Sequence, residues 1–193
     1  MNFLAHFYLS RMDDSLIIGN FLGDFVKGKK YRDYPEAVSR GILMHREIDS
    51  FTDHHPLHQR SKRRLQGRYG HYAGVAVDMF YDHLLAVGWD DYADTPLEQF
   101  SQHIYRVLLS NEALMPDTAQ RVLGYMSHHD WLLHYREMEG IRQSLRGISR
   151  RTVYHSNLEN ASLDLEVLFS EFRQDFERFF PEIISHTQNI FDS

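Results

Sequence analysis

The chain has 193 residues, 42% apolar and 25% charged, with a net charge of −6 and no cysteine. That size and composition fit one soluble globular domain able to bury a sizeable core. They exclude disulfides, thiolate ligands and cysteine nucleophiles, and the negative balance argues against generic nucleic-acid binding. No apolar run reaches the roughly 18 residues that span a bilayer. The start, MNFLAHFYLSRMDD, lacks the basic region of a signal peptide, so a cytoplasmic protein is expected. Any metal must be held by histidine and carboxylate, a donor set suited to Zn, Mn, Fe or Mg.

Strand signals are scarce along the chain, and helical periodicity dominates. Residues 14–28, DSLIIGNFLGDFVKG, set Leu16, Ile17, Phe21, Leu22 and Phe25 on a broad apolar stripe, with Gly28 as a stop. Residues 35–52 open on Pro35 at a first helical position and carry Val38, Ile42, Ile48 and Phe51. Pro56 starts a polar helix running to about Arg68, and residues 73–88 form the next. Thr95, Pro96 and Glu98 give the segment 95–111 a capping-box start. Further helices are expected over 117–128, over 131–145 and from Asn157 onward, the last kinked or divided at Pro181. The expectation is an all-α bundle of seven or eight helices, one domain over residues 1–193.

Ionisable residues on those apolar faces carry the functional question. His6 follows Phe3 and Leu4, and Asp24 sits within FLGDFV. His45 and Asp49 are four apart in MHREID, while Asp78, Asp82 and His83 lie inside VAVDMFYDHLL. Residues four apart share a helix face, so Asp78 and Asp82 stack like charges, and burying them unpaired would cost several kcal/mol. Each residue has an ordinary alternative: a satisfied core histidine, an i,i+4 ion pair, an acid accepting backbone N–H groups. A divalent cation explains the whole set at once, and helical bundles build such sites from inward-facing ligands. His129-Asp130 is a literal His-Asp pair, but Asp130 stands where the cap of the next helix belongs, and that role is preferred. His54, His55, His58 and His71 fall in polar contexts and read as solvated. No nucleophile elbow and no phosphate-binding loop is present.

The same residues carry a family resemblance. NFLAH at 2–6, GNFLGDFVKG at 19–28, MHREID at 44–49 and VDMFYDHLL at 77–85, with WLLHYREMEGI at 131–141, resemble the acyl carrier protein phosphodiesterases. The resemblance implies a helical, HD-like fold and a divalent metal, typically manganese, with magnesium, iron or zinc as alternatives. The implied reaction hydrolyses holo-acyl carrier protein to the apo-protein and 4′-phosphopantetheine. The implied metal ligands are Asp24, His45, Asp78, Asp82 and His83, ranked ahead of Asp49 and His6. His6 or Arg46 is then expected to stabilise phosphoryl charge or protonate the leaving oxygen. The order departs from the usual HD pattern, because the pair at 82–83 runs Asp before His and Asp24 precedes the histidine of MHREID. An acidic carrier protein makes Arg60, Arg63 and Arg64, in the basic run QRSKRRLQGR, the expected docking residues. Neither nucleic acid nor membrane is expected as a partner. Two other readings compete: an HD-type nucleotide phosphohydrolase acting without any carrier protein, and a non-catalytic helical module holding a structural ion.

Overall fold

The stretch AGVAVDMFYDHLLAV is apolar on nearly every side, and a helix apolar all round belongs in the middle of a fold. The computed structural model, which describes residues 1–191, places it there. Its helices are α1 (Phe3–Leu9), α2 (Asp14–Leu22), α3 (Glu36–His54), α4 (Pro56–Tyr69), α5 (Ala73–Val87) and α6 (Leu97–Ser110). They continue as α7 (Asp117–His128), α8 (Trp131–His134), α9 (Met138–Ser149), α10 (Ala161–Val167) and α11 (Phe169–Phe191). Short 3₁₀ turns join several of them, and no strand occurs among the described residues. The central helix is α5. α11 lays Phe172, Phe176, Phe179 and Phe180 over it, with Phe80–Phe172 ring centroids 5.0 Å apart and Tyr81–Phe176 centroids 5.4 Å apart. The buried apolar residues form one continuous core. No helix of the described residues is long and apolar enough to cross a membrane.

Two glycines fix how α2 meets α3. A Cβ on Gly19 would collide with the Val38 carbonyl and the Gly41 Cα, and a Cβ on Gly41 would press on the Leu16 backbone. The two backbones therefore touch, which brings the turn after α2 against the middle of α3.

Several boundaries differ from the periodicity. α1 is added at the start, too short to show a helical period. The 131–145 segment divides into α8 and α9, and the last segment divides at Leu168 rather than at Pro181. Pro181 sits inside α11, where it and Glu177 are both exposed, so the carbonyl it leaves unpaired lies on the solvent side. Pro35 and Pro96 stand at the cap positions of α3 and α6, whereas Pro56 opens α4 as expected. Asp130 does cap α8, accepting from the Leu133 N–H at 3.4 Å.

Candidate metal centre

At seven residues α1 is a weak helix, and its own cap residue, Asn2, makes no side-chain capping bond. The cap comes from α5. Asp82 Oδ2 accepts from the Leu4 N–H at 2.7 Å and Oδ1 from the Ala5 N–H at 3.3 Å. Unpaired N–H groups and the positive end of a helix thus meet this buried acid. Burial pushes its carboxyl up to about 7 even so. The second acid of that face, Asp78, lies 3.0 Å from His58 Nε2 and 3.2 Å from the amino group of Met1. Burial opposes its ionisation, but those two partners hold it below the usual carboxylate range.

Docking of α1 delivers His6, whose ring stacks on that of His45 with centroids 4.2 Å apart. Asn20 sets its tautomer. The Asn20 amide donates to the His6 carbonyl at 2.9 Å and to Ser10 Oγ at 3.0 Å, which turns its Oδ1 toward the ring. His6 Nδ1–H donates to that oxygen at 2.8 Å, leaving Nε2 with a free lone pair. This nitrogen is buried, lies 3.2 Å from Asp49 Oδ1 and makes no hydrogen bond. Burial, and then the neighbouring His45, lower the pKa of His6 and favour the neutral form.

α3 supplies the rest. His45 Nε2 is 3.1 Å from Asp49 Oδ2 and 3.7 Å from Asp24 Oδ1. Gly23 makes this possible: its backbone is helical, but a Cβ there would strike the His45 ring. Burial works against ionisation of Asp49, yet the His45 imidazole and the amino group of Met1 hold its carboxyl well below the usual range. His6, His45 and Asp49 each offer one ligand atom, all within 4.8 Å of one another. Two imidazole nitrogens and a carboxylate converge here, one nitrogen buried without a partner, and that donor set fits a divalent cation. Beside the trio opens a cleft of about 270 Å³ whose walls include Asp24, Asp49, Asp53 and Asp78.

The structure therefore brings together His6, His45 and Asp49, with Asp24 and Asp78 on the same cleft. Asp82 stands behind them as the cap of α1. His83 turns away, its Nδ1 2.7 Å from the Tyr135 carbonyl. Arg46 donates to the Val26 carbonyl at 3.0 Å and lies over the Tyr31 ring. Arg60 and Arg64 pair with the buried Asp175 of α11, while Arg63 is exposed. Three contributors escaped the sequence reading. Asn20 orients His6 without titrating. Asp53 continues the His45–Asp49 face at the same four-residue step. His58 was expected in solvent, but 58, 61, 65 and 69 are the buried positions of α4, a spacing visible in the sequence.

Comparison with known proteins identifies the family. Residues 1–183 match the family model described as acyl carrier protein phosphodiesterase. A protein of that name from Photorhabdus laumondii is 31% identical over 190 residues, covering 98% of this chain and 96% of its own. Its counterpart from Yersinia enterocolitica is 32% identical over 98% of both chains, and one from Klebsiella pneumoniae is 31% identical over 98% of both. No solved structure matches the chain. A full-length family match and relatives aligned from end to end lead to one conclusion: the chain belongs to the acyl carrier protein phosphodiesterase family.

Proposed function

We propose that this protein hydrolyses the phosphodiester joining 4′-phosphopantetheine to the serine of holo-acyl carrier protein, releasing apo-protein and 4′-phosphopantetheine, at the His6–His45–Asp49 centre. The observation that carries the reading is the convergence of those three ligand atoms within 4.8 Å at the edge of an acid-lined cleft. His6, His45 and Asp49 would hold a divalent ion, manganese by family resemblance, with Asp24 beside His45 as a further donor. When bound, such an ion neutralises charge on the phosphoryl oxygens and acidifies water.

The chain's own groups do the remainder. Asn20 keeps the His6 lone pair aimed at the centre. Asp78, held ionised with His58 behind it, is the carboxylate placed to take a proton from water in the cleft. Four acids on one cleft would repel an anionic diester in the absence of a cation, so turnover would require metal. Of the three arginines expected to dock an acidic carrier protein, Arg63 is the one exposed on α4, while Arg60 and Arg64 are engaged with Asp175.

The test is intact-mass measurement of holo-carrier protein after incubation with the purified protein, with Mn²⁺ and with chelator. Loss of the phosphopantetheine mass only with metal is the expected result. An unchanged mass alongside nucleotide turnover would favour the nucleotide phosphohydrolase, and metal-dependent stability without any turnover would favour the structural ion.

A further inference from the structure

We infer that the groove between α8 and α9 seats the pantetheine arm of the substrate, an inference that rests on the phosphodiesterase reading above. The groove has a volume of about 1030 Å³ and adjoins the acid-lined cleft directly, since Asn2, Met79 and Ile148 belong to the walls of both. One wall is α9, whose 12 residues at about 1.5 Å each give roughly 18 Å of length. A folded carrier protein presents its serine at the mouth of the cleft. The arm must then extend past the phosphorus, and this groove begins there.

The lining fits that occupant. The charged Glu137, Glu139, Arg150 and Arg151 line it as exposed side chains, while Phe3, Trp131, Tyr135 and Ile148 give apolar surface and Gln143 and Ser144 give amide and hydroxyl groups along the way. Beyond its phosphate the arm is an uncharged chain of methylenes, branched carbon and two amides, which calls for that mixture. Two glycines of α9 face the groove for different reasons. Gly140 is required by close packing, because a Cβ would collide with the His134 carbonyl. Gly147 is required by nothing inside the chain: it lies within a helix, and a Cβ there would meet no atom within 4 Å. Glycine at a helical position weakens the helix, so the empty space above Gly147 has no structural return. A ligand lying along α9 would use it.

Gly147→Trp tests the assignment, because the new side chain enters open space and the helix gains by losing glycine. Three substrates are compared with the Mn²⁺-loaded protein: holo-carrier protein, phosphopantetheinyl-serine, and bis(p-nitrophenyl) phosphate, a diester with no arm. The expected result is at least a tenfold fall in kcat/KM for both arm-bearing substrates, with the armless diester within twofold of wild type and no fall in Tm. A fall for holo-carrier protein alone would mean that the groove takes the carrier protein, and would overturn the inference. Equal loss on all three substrates, or no loss on any, would overturn it as well. If the wild-type protein cleaves the armless diester and neither arm-bearing substrate, the phosphodiesterase reading itself falls and takes the inference with it.

Discussion

Two clusters of ionisable side chains in this bundle differ in whether they are electrically complete. Between α4 and α11, Asp175 is fully buried and both its oxygens are answered: Oδ1 by Arg60, Oδ2 by Arg64 and by the Ser61 hydroxyl at 2.8 Å. Between α1 and α3, the buried Nε2 of His6 lies 3.2 Å from Asp49 Oδ1 and makes no hydrogen bond. The first cluster is closed and holds helices together. The second is open, leaving a buried nitrogen without a partner in the chain. Burial of charge alone does not mark a site; an unanswered partner does.

Breaking the open cluster should give the largest effect. His45→Ala and Asp49→Ala are each expected to reduce turnover to background and abolish stoichiometric Mn²⁺ uptake, measured by equilibrium dialysis, while the metal-free protein keeps its helical circular dichroism. Wild-type turnover in either variant would remove the metal centre.

Breaking the closed cluster should instead cost stability. Arg60→Met with Arg64→Met leaves the Asp175 carboxylate buried with the Ser61 hydroxyl as its remaining partner. A loss of about 3–5 kcal/mol in urea titrations is expected, with Mn²⁺ affinity of the folded protein unchanged. A change under about 1 kcal/mol would show that the cluster is not structurally important.

Asp82 sharpens the contrast through pH. Its carboxyl titrates at about 7 in the folded chain, against the ordinary 3.8. The folded chain therefore holds this proton more tightly than the unfolded one. The stability it brings is complete below about pH 4 and lost as pH rises through 7, a difference of about 4 kcal/mol at most. Asp82→Asn, which keeps an oxygen for the cap and cannot ionise, should gain steadily on wild type between those pH values. A difference that stays constant with pH would show that burial does not raise this acid.

The smallest effect expected is at Asn20, which orients a ligand without being one. Asn20→Ala should weaken Mn²⁺ binding by about 10–100-fold, as loss of such outer partners does elsewhere. Unchanged affinity would mean that His6 keeps its orientation unaided.

Legibility in the sequence followed the range of the interactions. The long helices show in the periodicity, and the His45–Asp49 pair shows because both residues lie on one turn of α3. The bond between Asp82 and α1 is hidden, since its donors are backbone N–H groups that carry no side-chain signature. Asp82 looked like a ligand because the spacing reports a buried acid without saying what meets it. The arginines looked like a docking face because their partner, Asp175, lies more than a hundred residues away. His58 is different: the spacing of the buried face of α4 held the answer, and the polar letters around it masked the pattern.

α1 carries His6, one of the three proposed ligands, and is shorter than α3, which carries the other two. Its hold on the molecule is a borrowed cap, the Asn20 bonds to His6, the Tyr8 hydroxyl on the Tyr92 carbonyl and apolar side chains, among them Leu4, Phe7 and Leu9. Whenever α1 lifts away, His6 leaves with it and the ligand set falls to two residues of α3. With an ion held at the proposed centre, local opening of this helix and release of the ion would be a single equilibrium, and occupancy would suppress opening by the factor 1 + [M]/Kd. The amides of residues 4–9 become the place where hydrogen exchange would register the ion, slowing on binding while helices that supply no ligand exchange at an unchanged rate.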